Sequence, residues 1–97
     1  MCSYTGWIVR STAGHDKGGL FCVAGTDQEG QRLLLVNGRQ RKLSSPKRKQ
    51  LGHVEPVSRG DFDHPVIHSL QQGGPVSDRA LRRALAAFKE GNTLGER

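Results

Sequence analysis

The sequence predicts a mainly β fold, a small barrel of about five short strands followed by one C-terminal α-helix. Three observations carry that expectation. Trp7-Ile8-Val9, Leu20-Phe21-Cys22-Val23 and Leu33-Leu34-Leu35-Val36 are apolar runs rich in β-branched and aromatic residues, each too short for a helix. Turn-forming glycine, asparagine and aspartate separate them. Near the end, Leu81, Ala84, Leu85 and Phe88 recur at i, i+3, i+4 and i+7, the period of an amphipathic helix. The chain has 97 residues, 34% of them hydrophobic and 5% aromatic, so it holds one small domain and perforce a small core. A domain of this size buries only about 60 to 70% of its unfolded surface. Both a multidomain enzyme and a large, deep substrate cavity are thereby excluded.

Taken in order, the first strand is Trp7 to Val9, followed by the loop Gly14-His15-Asp16-Lys17-Gly18-Gly19. Leu20 to Val23 forms the second strand, and Gly25-Thr26-Asp27-Gln28-Glu29-Gly30 suits a hairpin that leads into the third, Leu33 to Val36. Asn37-Gly38 is the preferred pair for a type I′ turn and folds Arg39 to Leu43 back as a fourth strand. Ser44-Ser45-Pro46 breaks it, leaving Lys47-Arg48-Lys49 in a loop, and His53-Val54-Glu55 supplies a last short strand. The barrel then spans residues 1–56. Residues 57–75, with Gly60, Pro65, Gly73, Gly74 and Pro75, read as a connector in which Val66-Ile67 packs locally. Ser77 caps a helix over 76–91, Asp78 suits its first turn, Gly91 ends it, and 92–97 is a tail.

Charge is distributed unevenly. Lys plus Arg number 15 against 9 Asp plus Glu, a net charge of +6. Residues 1–56 hold nine basic and four acidic side chains, and 57–97 hold six and five. Arg39, Arg41, Lys42, Lys47, Arg48 and Lys49 fall within eleven residues that contain no acid. Such a field favours a polyanionic partner, nucleic acid first among them.

The run from Gly6 to Gly18, Gly-Trp-Ile-Val-Arg-Ser-Thr-Ala-Gly-His-Asp-Lys-Gly, resembles the opening of a KOW motif, with Gly14, Asp16, Lys17 and Gly18 at the matching loop positions. The likeness continues through Phe21-Cys22-Val23, Asn37-Gly38, Arg41-Lys42, Pro46-Lys47-Arg48-Lys49 and His53, covering roughly residues 6–56. Ser77 to Leu85 resembles the short terminal helix of small bacterial KOW RNA-binding proteins, which are similar to large-subunit ribosomal proteins of archaea and eukaryotes. The resemblance implies an SH3-like barrel and non-enzymatic binding of structured RNA, ribosomal RNA or the large ribosomal subunit above all, in a translation setting. The RNA-binding residues it implies, together with the charge pattern, are Arg10, Gly14, His15, Asp16, Lys17, Gly18, Arg39, Arg41, Lys42, Lys47, Arg48, Lys49 and His53. A-form RNA offers phosphates, 2′-hydroxyls and a shallow minor groove, so a basic rim can recognise it by shape.

Each of these features also has a plainer reading. The 14–19 loop is either a phosphate contact made by close backbone approach or an ordinary turn with Asp16 bonding its own backbone. If alternation holds from residue 39, Arg39 and Arg41 share one face of a strand. Arg79, Arg82, Arg83 and Lys89, off the apolar stripe, are a solvated face or a second phosphate contact. His15 and His53 either donate to phosphate or have no role. Trp7 and Phe21 are expected in the core, while Tyr4 is undecided.

His64 and His68, with Asp61 and Asp63 nearby, have a spacing that suits a metal, but Pro65 argues against the helix that would align them. No metal and no cofactor are expected. The carboxylates form no acid–base pair legible in the sequence, and Cys22 reads as a core residue rather than a nucleophile, so no enzyme is expected. Cys2 and Cys22 are read as reduced thiols. The longest aliphatic run is four residues, the N-terminus lacks the pattern of a secretory signal, and a cytoplasmic location without membrane association follows. The rival to RNA binding is an SH3-like protein-interaction module, in which Leu81, Leu85 and Phe88 dock on a partner instead of the barrel.

Overall fold

The computed structural model describes residues 4–95, with side chains described through residue 91. Cys2 and the end of the tail lie outside the described residues. Five strands, β1 (Ile8–Ser11), β2 (Leu20–Thr26), β3 (Arg32–Val36), β4 (Lys47–Gln50) and β5 (Val54–Ser58), form one antiparallel sheet in the order β4-β3-β2-β1-β5. Two helices follow, α1 (Pro65–Gln72) and α2 (Asp78–Gly95).

The strand order has a geometric consequence. β4 and β5 are the two edges of the sheet, yet only the 3-10 turn Leu51–His53 joins them. Four spacings of about 4.8 Å would put the edges of a flat sheet ~19 Å apart. Four residues of chain reach at most about 14 Å. The sheet therefore curls, as a small barrel requires, and Thr12 N–H donates to the His53 carbonyl at 2.9 Å where β5 approaches β1.

Both faces of this sheet are buried, which explains why its strands read as continuous apolar runs rather than strict alternations. Val9, Phe21, Val23, Leu33, Leu35 and Val54 form one cluster, enclosed by the curl, with Trp7 and Tyr4 half-buried against it. Ile8, Leu20, Cys22 and Val36 point the other way and pack under Val66 and Ile67 of α1 and Leu81, Ala84 and Leu85 of α2. Leu81 and Ile67 are fully buried. The apolar stripe of α2 is thus covered by the protein's own sheet, and Phe88 meets Phe62 edge-on at 5.2 Å.

Several sequence expectations need correction. Arg39 to Leu43 is not a strand. Asn37 does not take the positive φ that a type I′ turn needs, and its Oδ1 instead accepts from the N–H groups of Arg39 and Arg41 at 2.9 and 3.0 Å. Gly38 does have φ +79°, and it is also a close approach: a Cβ there would lie 2.5 Å from the Asp78 carbonyl oxygen of α2. Lys47-Arg48-Lys49 is not loop but most of β4, paired with Leu35, Leu34 and Leu33. The last strand runs on to Ser58.

Residues 57–75 are not a mere connector. They hold α1, and the residues that looked like breakers are its ends: Pro65 occupies the first turn, where its missing N–H costs nothing. His64 is the N-cap, its Nδ1 accepting from Val66 N–H at 3.1 Å, and Gly73 at φ 76° closes the C-terminus. Ser77 caps α2 as expected, with Ala80 N–H donating to its Oγ at 3.1 Å. Gly91 does not end α2, which continues to Gly95 and takes in most of the expected tail.

Candidate nucleic-acid interface

The loop after β1 is tightly bonded within itself. Gly18 N–H donates to the Ser11 carbonyl at 2.8 Å, Gly19 N–H to that of Asp16 at 2.8 Å, and Lys17 N–H to that of Gly14 at 3.2 Å. Those three amides are satisfied by the loop and do not face outward as a phosphate cradle. Gly14 and Gly18 have φ of 80° and 88°, the left-handed turns that let the loop close this way. His15, Lys17 and Gly18 remain exposed, and Arg10 Nη1 reaches the Gly18 carbonyl at 3.4 Å.

Asp16 is the hinge between this loop and the basic segment. Its Oδ1 lies 3.8 Å from Arg41 Nη2, and its Oδ2 lies 3.9 Å from Lys49 Nζ. Lys49 also donates to the Ala13 carbonyl at 2.8 Å. Opposite residues of an antiparallel pair share a face, so Lys49, facing Leu33, is directed toward the enclosed side of the sheet. Its side chain is only 9% exposed. The Asp16 carboxylate thus faces cations from two distant segments, where the ordinary-turn reading had it bonding its own backbone. Arg41 Nε is buried and has no hydrogen-bond partner among the described residues, an orphan donor beside the loop.

The other expected residues separate into those the fold brings to this region and those it sends elsewhere. Arg39 and Lys42 are exposed on the 37–46 loop that carries Arg41, and Lys47 is half-buried on β4. Arg39 and Arg41 do not share a strand face, because that segment is a loop. Arg48, opposite Leu34, is exposed and lines an open groove with Asp27 and Glu29 of the β2–β3 hairpin. His53 is exposed between the edge strands, its carbonyl bonded to Thr12. No protein-family model and no curated protein matches the chain.

The sequence offered Arg82 as a solvated side chain or a phosphate contact, and its structural role was missed. Its Nη1 donates to the Gly38 carbonyl at 2.7 Å, tying α2 to the 37–46 loop, and Asp78 Oδ1 accepts from Leu43 N–H at 2.8 Å nearby. The signal that would have found it is the pairing of a glycine in a basic loop with an arginine off the apolar stripe, which only topology reveals. Phe21 is in the core as expected, whereas Trp7 is half-buried, with Tyr4 edge-on at 4.8 Å and the Arg59 guanidinium 5.6 Å from its ring centre.

His64 and His68 do not converge. His64 Nδ1 is occupied by its capping bond, while His68 Nε2 lies 3.2 Å from Asp63 Oδ1 on an exposed surface. Among the described residues no group of three or more His, Cys, Asp or Glu is placed to hold a metal. Burial pushes the Cys22 thiol up to about 12, against a smaller opposing effect of its hydrogen bond with the Val23 backbone, so this cysteine is poorly suited to act as a nucleophile. Among the described residues no helix is long and apolar enough to cross a membrane.

Proposed function

We propose that this chain is a non-enzymatic RNA-binding protein, an SH3-like barrel of the KOW type with helices packed on its outer face, that grips structured RNA through the 12–19 loop and the 37–49 segment. Ribosomal RNA in the large subunit is the leading target and the cytoplasm the expected location. The observation that carries the reading is the meeting at Asp16. A glycine-rich loop and a basic segment, far apart in sequence, are held side by side by Arg41 and Lys49, with Lys17, Arg39 and Lys42 exposed around them. Exposed cations around a rigid loop suit the phosphates and 2′-hydroxyls of an A-form helix. The orphaned Arg41 Nε adds a donor that an RNA oxygen or a water could satisfy.

The rival reading, a protein-interaction module, loses its proposed surface, because Leu81 and Leu85 are buried beneath α2 and Phe88 packs on Phe62. Anisotropy of a labelled ribosomal-RNA fragment across a salt series, with duplex DNA as competitor, tests the proposal. If six phosphates are neutralised, affinity drops roughly 10³-fold between 50 and 200 mM salt, and RNA outcompetes DNA. Absence of saturable binding at 50 mM salt overturns the reading.

A further inference from the structure

α2 turns its two flanks to different neighbours. Asp78 and Arg82 engage the 37–46 loop, through Leu43 N–H and the Gly38 carbonyl. Arg79, Ala80 and Arg83 instead border the space between α2 and α1. Ser69 of α1 and Ala80 of α2 are too small to fill that space, which leaves an open groove of about 490 Å³ lined also by Val66, Val76, Pro65 and Pro75. The groove runs on into a second hollow of about 400 Å³ that shares Val66, Ser77 and Ala80 with it and adds His64, Arg79 and Arg83. Neither lining contains a carboxylate.

The two arginines are available to a partner. They are one helical turn apart, about 6 Å along the axis, and both are exposed. Neither guanidinium takes part in a hydrogen bond or ion pair among the described residues. The acids beside them in sequence are turned elsewhere: Asp78 accepts from Leu43 N–H, and Asp63, next to His64, lies 3.2 Å from His68. Apolar walls that end in two arginines suit a ligand that is apolar along one side and acidic at one end. A protein segment can offer both. An RNA backbone has nothing to set against Val66 and Pro75, and the His64 ring at the edge is already stacked on Phe62 at 5.5 Å.

We propose that this groove docks an acidic, amphipathic segment of a partner protein, with an apolar side chain seated between Ser69 and Ala80 and carboxylates on Arg79 and Arg83. The surface is distinct from the apolar stripe of α2, which the sheet covers. It takes no residue from the 12–19 loop or the 37–49 segment, so it does not rest on the RNA reading. One chain then holds RNA on its loops and a protein on its helices.

The ¹⁵N-labelled full chain is titrated with an amphipathic leucine–glutamate peptide, with the same peptide carrying serine in place of leucine, and with a ribosomal-RNA hairpin. Support consists of saturable shifts at the amides of Val66, Ser69, Val76 and Ala80 with the leucine–glutamate peptide alone. Arg79→Glu/Arg83→Glu should weaken that peptide by about 5-fold or more, the scale of two exposed ion pairs, and admit a leucine–lysine peptide in its place. Ser69→Leu, which fills the groove and leaves both arginines, should block the leucine–glutamate peptide as well, with thermal unfolding as the fold control for both variants. Equal binding of the serine peptide, unaltered affinity in the charge-reversed variant, or no shift at the groove with any peptide overturns the proposal. Shifts at these amides with the RNA hairpin assign the groove to RNA, and shifts that grow with protein concentration alone assign it to a second copy of the chain; either result overturns the protein partner. The RNA reading stands or falls separately, on its own salt series.

Discussion

Lys42 and Lys49 belong to the same acid-free segment, yet the fold treats them in opposite ways. Lys49 is 8% exposed, donates to the Ala13 carbonyl at 2.8 Å and sits beside Asp16, whereas Lys42 is open to solvent. Arg41 follows Lys49 in part and Arg39 follows Lys42. Charge counted along a sequence is therefore not the charge available to a partner. Some cations of a basic segment fasten the protein to itself, and a nucleic-acid reading has to rest on the remainder.

Lys49→Met tests the fastening role most severely. It keeps the aliphatic stem but leaves the Ala13 carbonyl without its charged donor and Asp16 without one of its two cations. Hydrogen bonds to charged groups contribute about 1.5–3 kcal/mol, and removing one partner of a buried pair adds to that loss, so unfolding stability in urea should fall by about 2–3 kcal/mol. A loss below about 0.5 kcal/mol would place Lys49 with the available cations and dissolve the distinction.

Asp16→Asn acts on the same junction from the acidic side and should be milder in stability, a loss of about 1 kcal/mol, since Asp16 is partly exposed and Ala13 still receives Lys49. Its effect on binding is the sharper readout. With the carboxylate gone, Arg41 is no longer countered, and the salt dependence of RNA binding should steepen by about 0.9 in log–log slope, the equivalent of one more phosphate contact. A shallower slope would mean that Asp16 aims Arg41 at the ligand rather than holding it back.

These assignments show where the sequence was legible. β1, β2 and β3 were, because their apolar runs are buried on both faces. β4 was not: Lys-Arg-Lys-Gln carries no apolar residue, and it is a strand because Leu33 to Leu35 offer it a ladder. Lysine on an edge strand also discourages pairing with other chains, a structural reason for its charge that has nothing to do with RNA. α1 was hidden by its own terminal residues, since Pro65 and Gly73 signal a loop unless the eight residues between His64 and Gly73 are read as one capped unit. The Asp16–Lys49 contact is a tertiary pairing across the sheet, and no local pattern encodes it.

The finest division lies among the exposed cations themselves. Lys17 is exposed on the 12–19 loop, while Arg48 lines a groove with Asp27 and Glu29, whose negative charge would repel a phosphate brought close to it. Neither side chain is needed for packing, so alanine at either position should move stability by no more than about 0.5 kcal/mol. In RNA binding they should part. Lys17→Ala should lower the salt slope by about 0.9, one phosphate contact, and Arg48→Ala by a small fraction of that. Measured side by side, equal slopes for the two variants would show that exposure alone decides which cations serve the interface. Unequal slopes in this order would show that the acids of the β2–β3 hairpin mark its border, confining the RNA to the 12–19 and 37–46 loops.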